Sequence, residues 1–324
     1  MRPRVFWSVL ILFVAAGGAS GTWQAVRHIY TVTGPATANT NVVIPKGAGV
    51  HEVAKILDKA GTISTRRGFR ALAWLYRTDR ELKAGEYVIP AHASIRSIMA
   101  VLRSGVTVVR FVTVPEGLTS QEVVTILDNA YGLMGEIKTI PPDGTLLPET
   151  YRYSYGDTRS EMIKRMSLAM DDEIDKLWPD RDPDLPFHSP DEAVILASMV
   201  EKETAVPSER SRIAAVFLNR LKKGMRLQSD PTVLYAIEQA SPLGRGLTRD
   251  DLDIDSPYNT YRVYGLPPGP IANPGKDSLY AVLHPAKTDE LYFVANGSGG
   301  HTFAKTLKEH NANVRKWRRL RRAR

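Results

Sequence analysis

The pattern of apolar and polar positions divides the chain before any single residue is considered. From Val5 to Val26 there are 22 residues without a charged side chain. As a helix rising about 1.5 Å per residue they span roughly 33 Å, enough to cross the hydrocarbon core of a bilayer. Arg2 and Arg4 precede the run, and Trp7 and Trp23 lie near its two ends. Basic residues on one flank favour a cytoplasmic N-terminus, and indoles favour the membrane interface. The pattern therefore predicts a cytoplasmic stub at 1–4, a transmembrane anchor at 5–26 and a body outside the cytoplasmic membrane. Two other readings compete. Val5 to Ala16 followed by the small residues 17–21 also suits a cleaved signal peptide, and an apolar run can be a buried core helix. Anchor and signal both export the body.

After the anchor the pattern becomes periodic. Residues 27–41, polar from Thr31 to Thr40, read as a linker. Then IPKGAGVHEVAKIL, from Ile44 to Leu57, aligns with VPEGLTSQEVVTIL, from Val114 to Leu127, at six of fourteen positions. A weaker copy, IPAHASIRSIMAVL, runs from Ile89 to Leu102. Each predicts a strand ending at the proline, a short turn, and a helix with apolar residues at i, i+3 and i+4. RRGFRALAWLYR, from Arg66 to Arg77, predicts a further helix. Residues 42–105 thus read strand-helix-helix-strand-helix. A second region, 106–314, mixes helices, short strands and Pro-rich loops, and a basic tail, 315–324, follows. The fold class is α+β.

The second region holds the candidate chemistry. Ser189, Pro190 and Glu192 mark a helix start, with a cap, a first-turn proline and a capping-box spacing. The helix continues AVILASMVEKE. At 100° per residue, Glu203 falls on the face of Ile195, Leu196, Met199 and Val200, while Glu201 points nearly opposite. A carboxylate that ends an apolar stripe at the negative pole of a helix is disfavoured in its ionised form. A raised pKa is what a general acid working near neutral pH requires. A glutamate in the last turn can equally sit at the solvent edge, and this feature alone does not separate the two.

Downstream, a helix opens near Pro207-Ser208 and closes at Gly224, another starts at Asp230-Pro231, and Asn273-Pro274 starts a third. Leu291 to Val294 with Gly299 to Phe303 predicts a hairpin. Gln228, Ser229, Asp230, Tyr258, Asn259 and Thr260 sit in predicted loops or at helix starts, where polar and aromatic groups suit a sugar-binding cleft. Capping and turn chemistry explain each of them singly just as well. As binding residues they are expected to matter less for stability, with alanine at Asn259 costing no more than about 1 kcal/mol.

Charge narrows the function. Of 43 basic residues, three lie at Arg2, Arg4 and Arg27 and seven in the last ten positions, leaving 33 against 35 acidic residues in the body. A nucleic-acid protein spreads basic charge over a folded face, so that class is disfavoured. The absence of cysteine removes disulfides, thiolate zinc sites and a cysteine nucleophile. His284 and His301 lack any metal-ligand spacing, and no Walker or Rossmann glycine pattern occurs, so no metal or cofactor is expected.

VEKETAVPSERSRIAAVFLNRLKKGMRLQSDPTVLYA, YNTY, GLPPGPIANPG and HPAKTDELYFVANGSGGHTF, with the N-terminal apolar run, resemble the endolytic murein transglycosylase, or YceG-like, family along essentially the whole chain. Residues 42–105 resemble a small LysM-like glycan-binding module. The resemblance implies a membrane anchor, a LysM-like subdomain and a mixed catalytic domain at the cytoplasmic membrane, with peptidoglycan strands as substrate and peptidoglycan synthases as partners. It implies cleavage of the β-1,4 bond between MurNAc and GlcNAc to a 1,6-anhydro end, terminating nascent strands. It places the single catalytic glutamate, the second of EKE, on Glu203. Thr204 stands where many lytic transglycosylases carry serine. A hydrolytic muramidase would need a second carboxylate, such as Glu149 or Asp230. A non-catalytic glycan-binding scaffold would tolerate loss of Glu203. The basic tail lies outside the family pattern.

Overall fold

The computed structural model describes residues 20–239 and 243–322. Residues 5–19 of the expected anchor lie outside them. Among the described residues no helix is long and apolar enough to cross a membrane. The described chain forms two compact units of mixed helix and strand. The first takes residues up to Arg110 with Tyr131–Met134 and Arg152–Asp157, and the second takes the rest.

In the first unit β1 (Thr40–Ile44) pairs antiparallel with β2 (Gly85–Ile89), in a register from Thr40↔Ile89 to Ile44↔Gly85. Helices α1 (Val50–Lys59) and α2 (Arg66–Leu75) lie between them in sequence, and α3 (Ile95–Ser104) follows. The expected element order is the observed one. Each helix buries residues at helical spacing: Val53, Ala54 and Leu57; Phe69, Leu72 and Ala73; Ile95, Ile98, Met99 and Leu102. Together with Tyr87 and Ile89 they make one core. Thr65 and Ser94 cap α2 and α3 by accepting the N–H of Gly68 and Ser97.

The repeated turn has a common backbone. Two residues after the proline the chain enters the left-handed region, at Gly47 (φ +82°), His92 (φ +56°) and Gly117 (φ +77°). Glycine takes this conformation freely, whereas His92 holds it at a cost.

The expected linker at 27–41 is corrected by the structure. Residues 20–31 are helical, and Val26 and Tyr30 pack on the core of the first unit. Tyr30 stacks on Tyr76 with centroids 4.3 Å apart. Beyond it the backbone of Gly34 donates to His92, and His92 donates to Ala36. A side chain at Gly34 would strike the Ala93 carbonyl, so the segment lies flat on the β2–α3 turn. Its polarity reflects a solvated outer face on a docked strap.

Strands β3 (Val109–Thr113) and β4 (Thr150–Ser154) pair, and the boundary between the units falls within both. The second unit contains α4 (Ser120–Asn129), α5 (Arg159–Leu177), α6 (Pro190–Glu203), α7 (Arg210–Lys222), α8 (Asp230–Glu238) and α9 (Lys276–Leu283). The hairpin of β5 (Tyr292–Ala295) and β6 (His301–Ala304) forms where expected and is packed by α10 (Leu307–Arg322). Helix α6 is central. Ala193, Val194 and every residue from Leu196 to Val200 are buried, so it is covered on all sides by α7, α8 and α9. An amphipathic stripe, the expectation for α6, needs a solvent face that this helix lacks.

Candidate active site

Glu203 is the last residue of α6. Its Oε1 accepts a hydrogen bond from the Ser229 hydroxyl at 2.5 Å. Ser229 is buried at the N-cap of α8. Its N–H donates to Thr260 Oγ1 at 2.9 Å, and its carbonyl accepts from Thr232 Oγ1 at 2.7 Å. The two threonine hydroxyls bond each other at 2.9 Å, which closes a ring of small polar groups around the serine backbone. Gln228, just before, sits in the left-handed region at φ +51° with its N–H on the Thr260 carbonyl. A non-glycine residue there costs on the order of 1–2 kcal/mol, and strain of this kind gathers at functional sites. The Gln228 side chain is exposed.

The protein around the Glu203 carboxyl pushes its pKa up to about 7, chiefly by desolvation. The Ser229 hydroxyl opposes the rise, nearby Asp230 adds to it, and Arg220 draws it down. No cation forms an ion pair with Glu203 among the described residues. Arg220, though buried, spends its donors on the carbonyls of Leu291 at 2.7 Å and Leu227 at 2.6 Å. Asp230 Oδ1 accepts from the Tyr261 hydroxyl at 2.5 Å. Burial and this contact raise the Tyr261 pKa, so the phenol stays a donor.

Glu201, two residues earlier, is held differently. Its side chain is 6% exposed. Arg210 donates to its Oε1 at 3.4 Å and the Gly275 N–H to its Oε2 at 2.9 Å. The same guanidinium reaches Glu116 at 3.2 Å and Asp277 at 3.1 Å. Glu201 is a paired structural charge.

The expected binding residues separate into three kinds. Ser229 and Thr260 belong to the ring around Glu203, and Asp230 adjoins it. Tyr258 is half-buried and packs on Tyr235 with centroids 5.0 Å apart, while Tyr235 donates to Asp143. Asn259 is fully buried. Its amide donates to the Leu252 and Ile254 carbonyls, and its oxygen accepts from the Tyr261 N–H. Asn259 therefore pins the loop that delivers Thr260 and Tyr261. The expectation that alanine there leaves stability nearly unchanged is corrected by these three buried bonds. Asn273 is a second correction. It does not start α9, whose N-cap is Gly275, but is buried and ties the Leu118 carbonyl, the Ser120 hydroxyl and the Leu146 N–H together.

Residues 42–316 match the sequence pattern of the YceG-like family. The chain belongs to that family. It is 35% identical over 314 residues to the endolytic murein transglycosylase of Bacillus subtilis, covering 86% of this chain and 84% of the relative. It is 29% identical over 355 residues to that of Streptococcus pneumoniae, covering 94% of this chain and 63% of the relative. The crystal structure of a YceG-like protein from Listeria monocytogenes, 32% identical, superposes with a TM-score of 0.50 over 85% of this chain and 99% of that one.

Within this YceG-like fold several residues were not legible as site residues. Arg220 and Tyr261 reach the Glu203 environment from α7 and from the YNTY run. Glu209 accepts from both the backbone N–H of His301, at 2.8 Å, and its ring Nδ1, at 2.7 Å. His284 instead faces the carbonyls of Tyr280 and Asp180. The two histidines thus serve separate local contacts.

Proposed function

We propose that this YceG-like protein is a murein lytic transglycosylase, anchored in the cytoplasmic membrane by residues 5–26 with its body on the outer side. It cleaves the β-1,4 bond between MurNAc and GlcNAc of peptidoglycan strands and works beside peptidoglycan synthases, terminating nascent strands. The relatives named as endolytic murein transglycosylases support the reaction class. The observation that carries the chemistry is the Glu203 carboxyl, enclosed, bonded by Ser229, unpaired with any cation among the described residues and raised to about 7. A carboxyl with that pKa holds its proton near neutral pH and can still lose it, as a group that acts as acid and then base must.

In this reading protonated Glu203 gives its proton to the leaving glycosidic oxygen. The resulting carboxylate takes the proton from the sugar's own 6-hydroxyl, whose oxygen bonds C1 as the glycosidic bond breaks. The product carries a 1,6-anhydro end, no water is consumed and Glu203 finishes protonated. Ser229 and the ring of Thr260 and Thr232 hold the carboxyl. The exposed Gln228 and Asp230, just before and at the start of α8, with Tyr258 in its loop, are the groups that meet the sugar in this reading.

A hydrolytic muramidase is the second reading, favoured by one observation: Asp230 lies close enough to raise the Glu203 pKa and is itself oriented by Tyr261. Mass spectrometry of fragments released from purified sacculi separates the two. Anhydro ends abolished by Glu203→Gln support the transglycosylase. Reducing ends abolished by Asp230→Asn support the muramidase. Release that survives Glu203→Gln refutes both.

A further inference from the structure

The first unit carries an exposed aromatic and basic face that its fold does not use. Trp74, in the last turn of α2, is 75% exposed, and Leu75 beside it is 46% exposed. At 100° per residue Arg67, Arg70 and Trp74 share one side of the helix, and Arg77 follows at its end. All three arginines are exposed and enter no ion pair among the described residues. Arg66, by contrast, is paired with Asp58. Arg77 also holds the left-handed φ of +52° in a C-terminal helix turn, with its own N–H on the Trp74 carbonyl and the Thr78 N–H on Ala73. Glycine is the unstrained choice at that position, yet an exposed arginine stands there, three residues after the indole.

A second observation says what this face meets. The helix at residues 20–31 continues out of the proposed anchor and is fastened to the first unit. Val26 and Tyr30 pack on its core, Tyr30 stacks on Tyr76, and Gly68 of α2 lies against Ile29. Trp23, 56% exposed, marks the expected outer edge of the bilayer. From Trp23 to Val26 is three residues, about 4.5 Å of helix rise. No flexible spacer separates the membrane edge from the unit, so the unit must lie against the headgroups.

We infer that α2 docks on the anionic phospholipid surface, with Trp74 and Leu75 seated at the interface and Arg67, Arg70 and Arg77 on the phosphates. Indoles partition to the headgroup level, guanidiniums bind phosphate in a bidentate manner, and unpaired basic residues beside a membrane are drawn to anionic lipid. The inference rests on the proposed anchor. Held by anchor and α2 together, the first unit keeps one orientation on the membrane instead of swinging on a tether.

Bromolipid quenching of tryptophan emission tests it. The full chain is reconstituted into vesicles of phosphatidylcholine with phosphatidylglycerol as the minor component, with and without brominated acyl chains. The emission of Trp74 is obtained as the difference between wild type and Trp74→Phe. We expect brominated vesicles to reduce that difference at least about twofold, and Arg67→Glu with Arg70→Glu and Arg77→Glu to restore most of it. If the chain fails to float with vesicles, the anchor is refuted and this inference with it. If the chain floats but Trp74 emission is unchanged by bromine, this inference alone is overturned. The same holds if soluble glycan fragments, and not brominated lipid, alter that emission, which would assign Trp74 to sugar stacking.

Discussion

Glu201 and Glu203 leave the same helix two residues apart, and the protein treats them in opposite ways. Around Glu201 it supplies the Gly275 N–H and the Arg210 guanidinium, which Glu201 shares with Glu116 and Asp277, so a nearly inaccessible carboxylate has a cation beside it. Around Glu203 it supplies desolvation and one hydroxyl, and the pKa climbs to about 7. Burial is common to both, so burial does not separate them. The cation does. A paired charge serves the fold, whereas an enclosed carboxyl without one among the described residues is the arrangement that the proposed acid–base role of Glu203 requires.

The comparison breaks most visibly at Glu203. Glu203→Gln is expected to lower cleavage by about 10²–10⁴-fold, measured as release of muropeptides from isolated glycan. The same variant should gain stability relative to the wild type as pH rises. Native Glu203 keeps its proton to about 7, while an unfolded glutamate releases it near 4.5. Between these values the native state binds more protons, so the wild type loses stability on going up in pH and Gln does not. Melting temperatures of the two should therefore diverge between about pH 5 and pH 8, and parallel curves would remove the raised pKa from the explanation.

Arg210→Met should do the reverse, acting on the fold before the chemistry. It strands Glu201 beside Glu116, and a buried pair broken from one side costs about 3–5 kcal/mol. Denaturant unfolding measures the loss. A loss well below that would mean that Glu201 is no more tightly held than Glu203. Asn259→Ala, with three buried bonds removed, should cost about 1–3 kcal/mol and lower activity through the displaced Thr260 and Tyr261. Full stability with lost turnover would return Asn259 to direct binding. The smallest effect belongs to the other unit. His92→Gly relieves left-handed strain and should raise stability by about 0.5 kcal/mol in thermal unfolding, net of glycine's greater unfolded freedom.

What the sequence made legible was local. The strand, proline, turn and helix recur because each copy states its own physics, and all three appear with the same backbone turn. The capping box at Thr158 and Glu161 forms with both of its bonds. Helical phase, however, selected Glu203 for a reason the structure removes, since the body of α6 is buried all round and both glutamates are largely covered. The deciding partners, Arg210, Gly275 and Ser229, lie 9, 74 and 26 residues away from the glutamates they touch. No periodicity reports contacts at such separations. The polar segment at 27–41 looked like a tether for a similar reason: its contacts with Tyr76 and His92 depend on tertiary packing and not on its own composition.

The threonine ring has one more consequence. It engages the backbone of Ser229 and leaves the serine hydroxyl hydrogen free to turn about the Cβ–Oγ bond. A hydroxyl both gives and receives. Facing a carboxylate, Ser229 offers its hydrogen to Glu203. Facing the neutral acid, it can take the acid's hydrogen and swing its own away. The contact thus survives gain or loss of the Glu203 proton with its polarity reversed, through a rotation on the picosecond-to-nanosecond scale and no displacement of heavier atoms. With the serine backbone held by both threonines, the one part that need move is a single hydrogen.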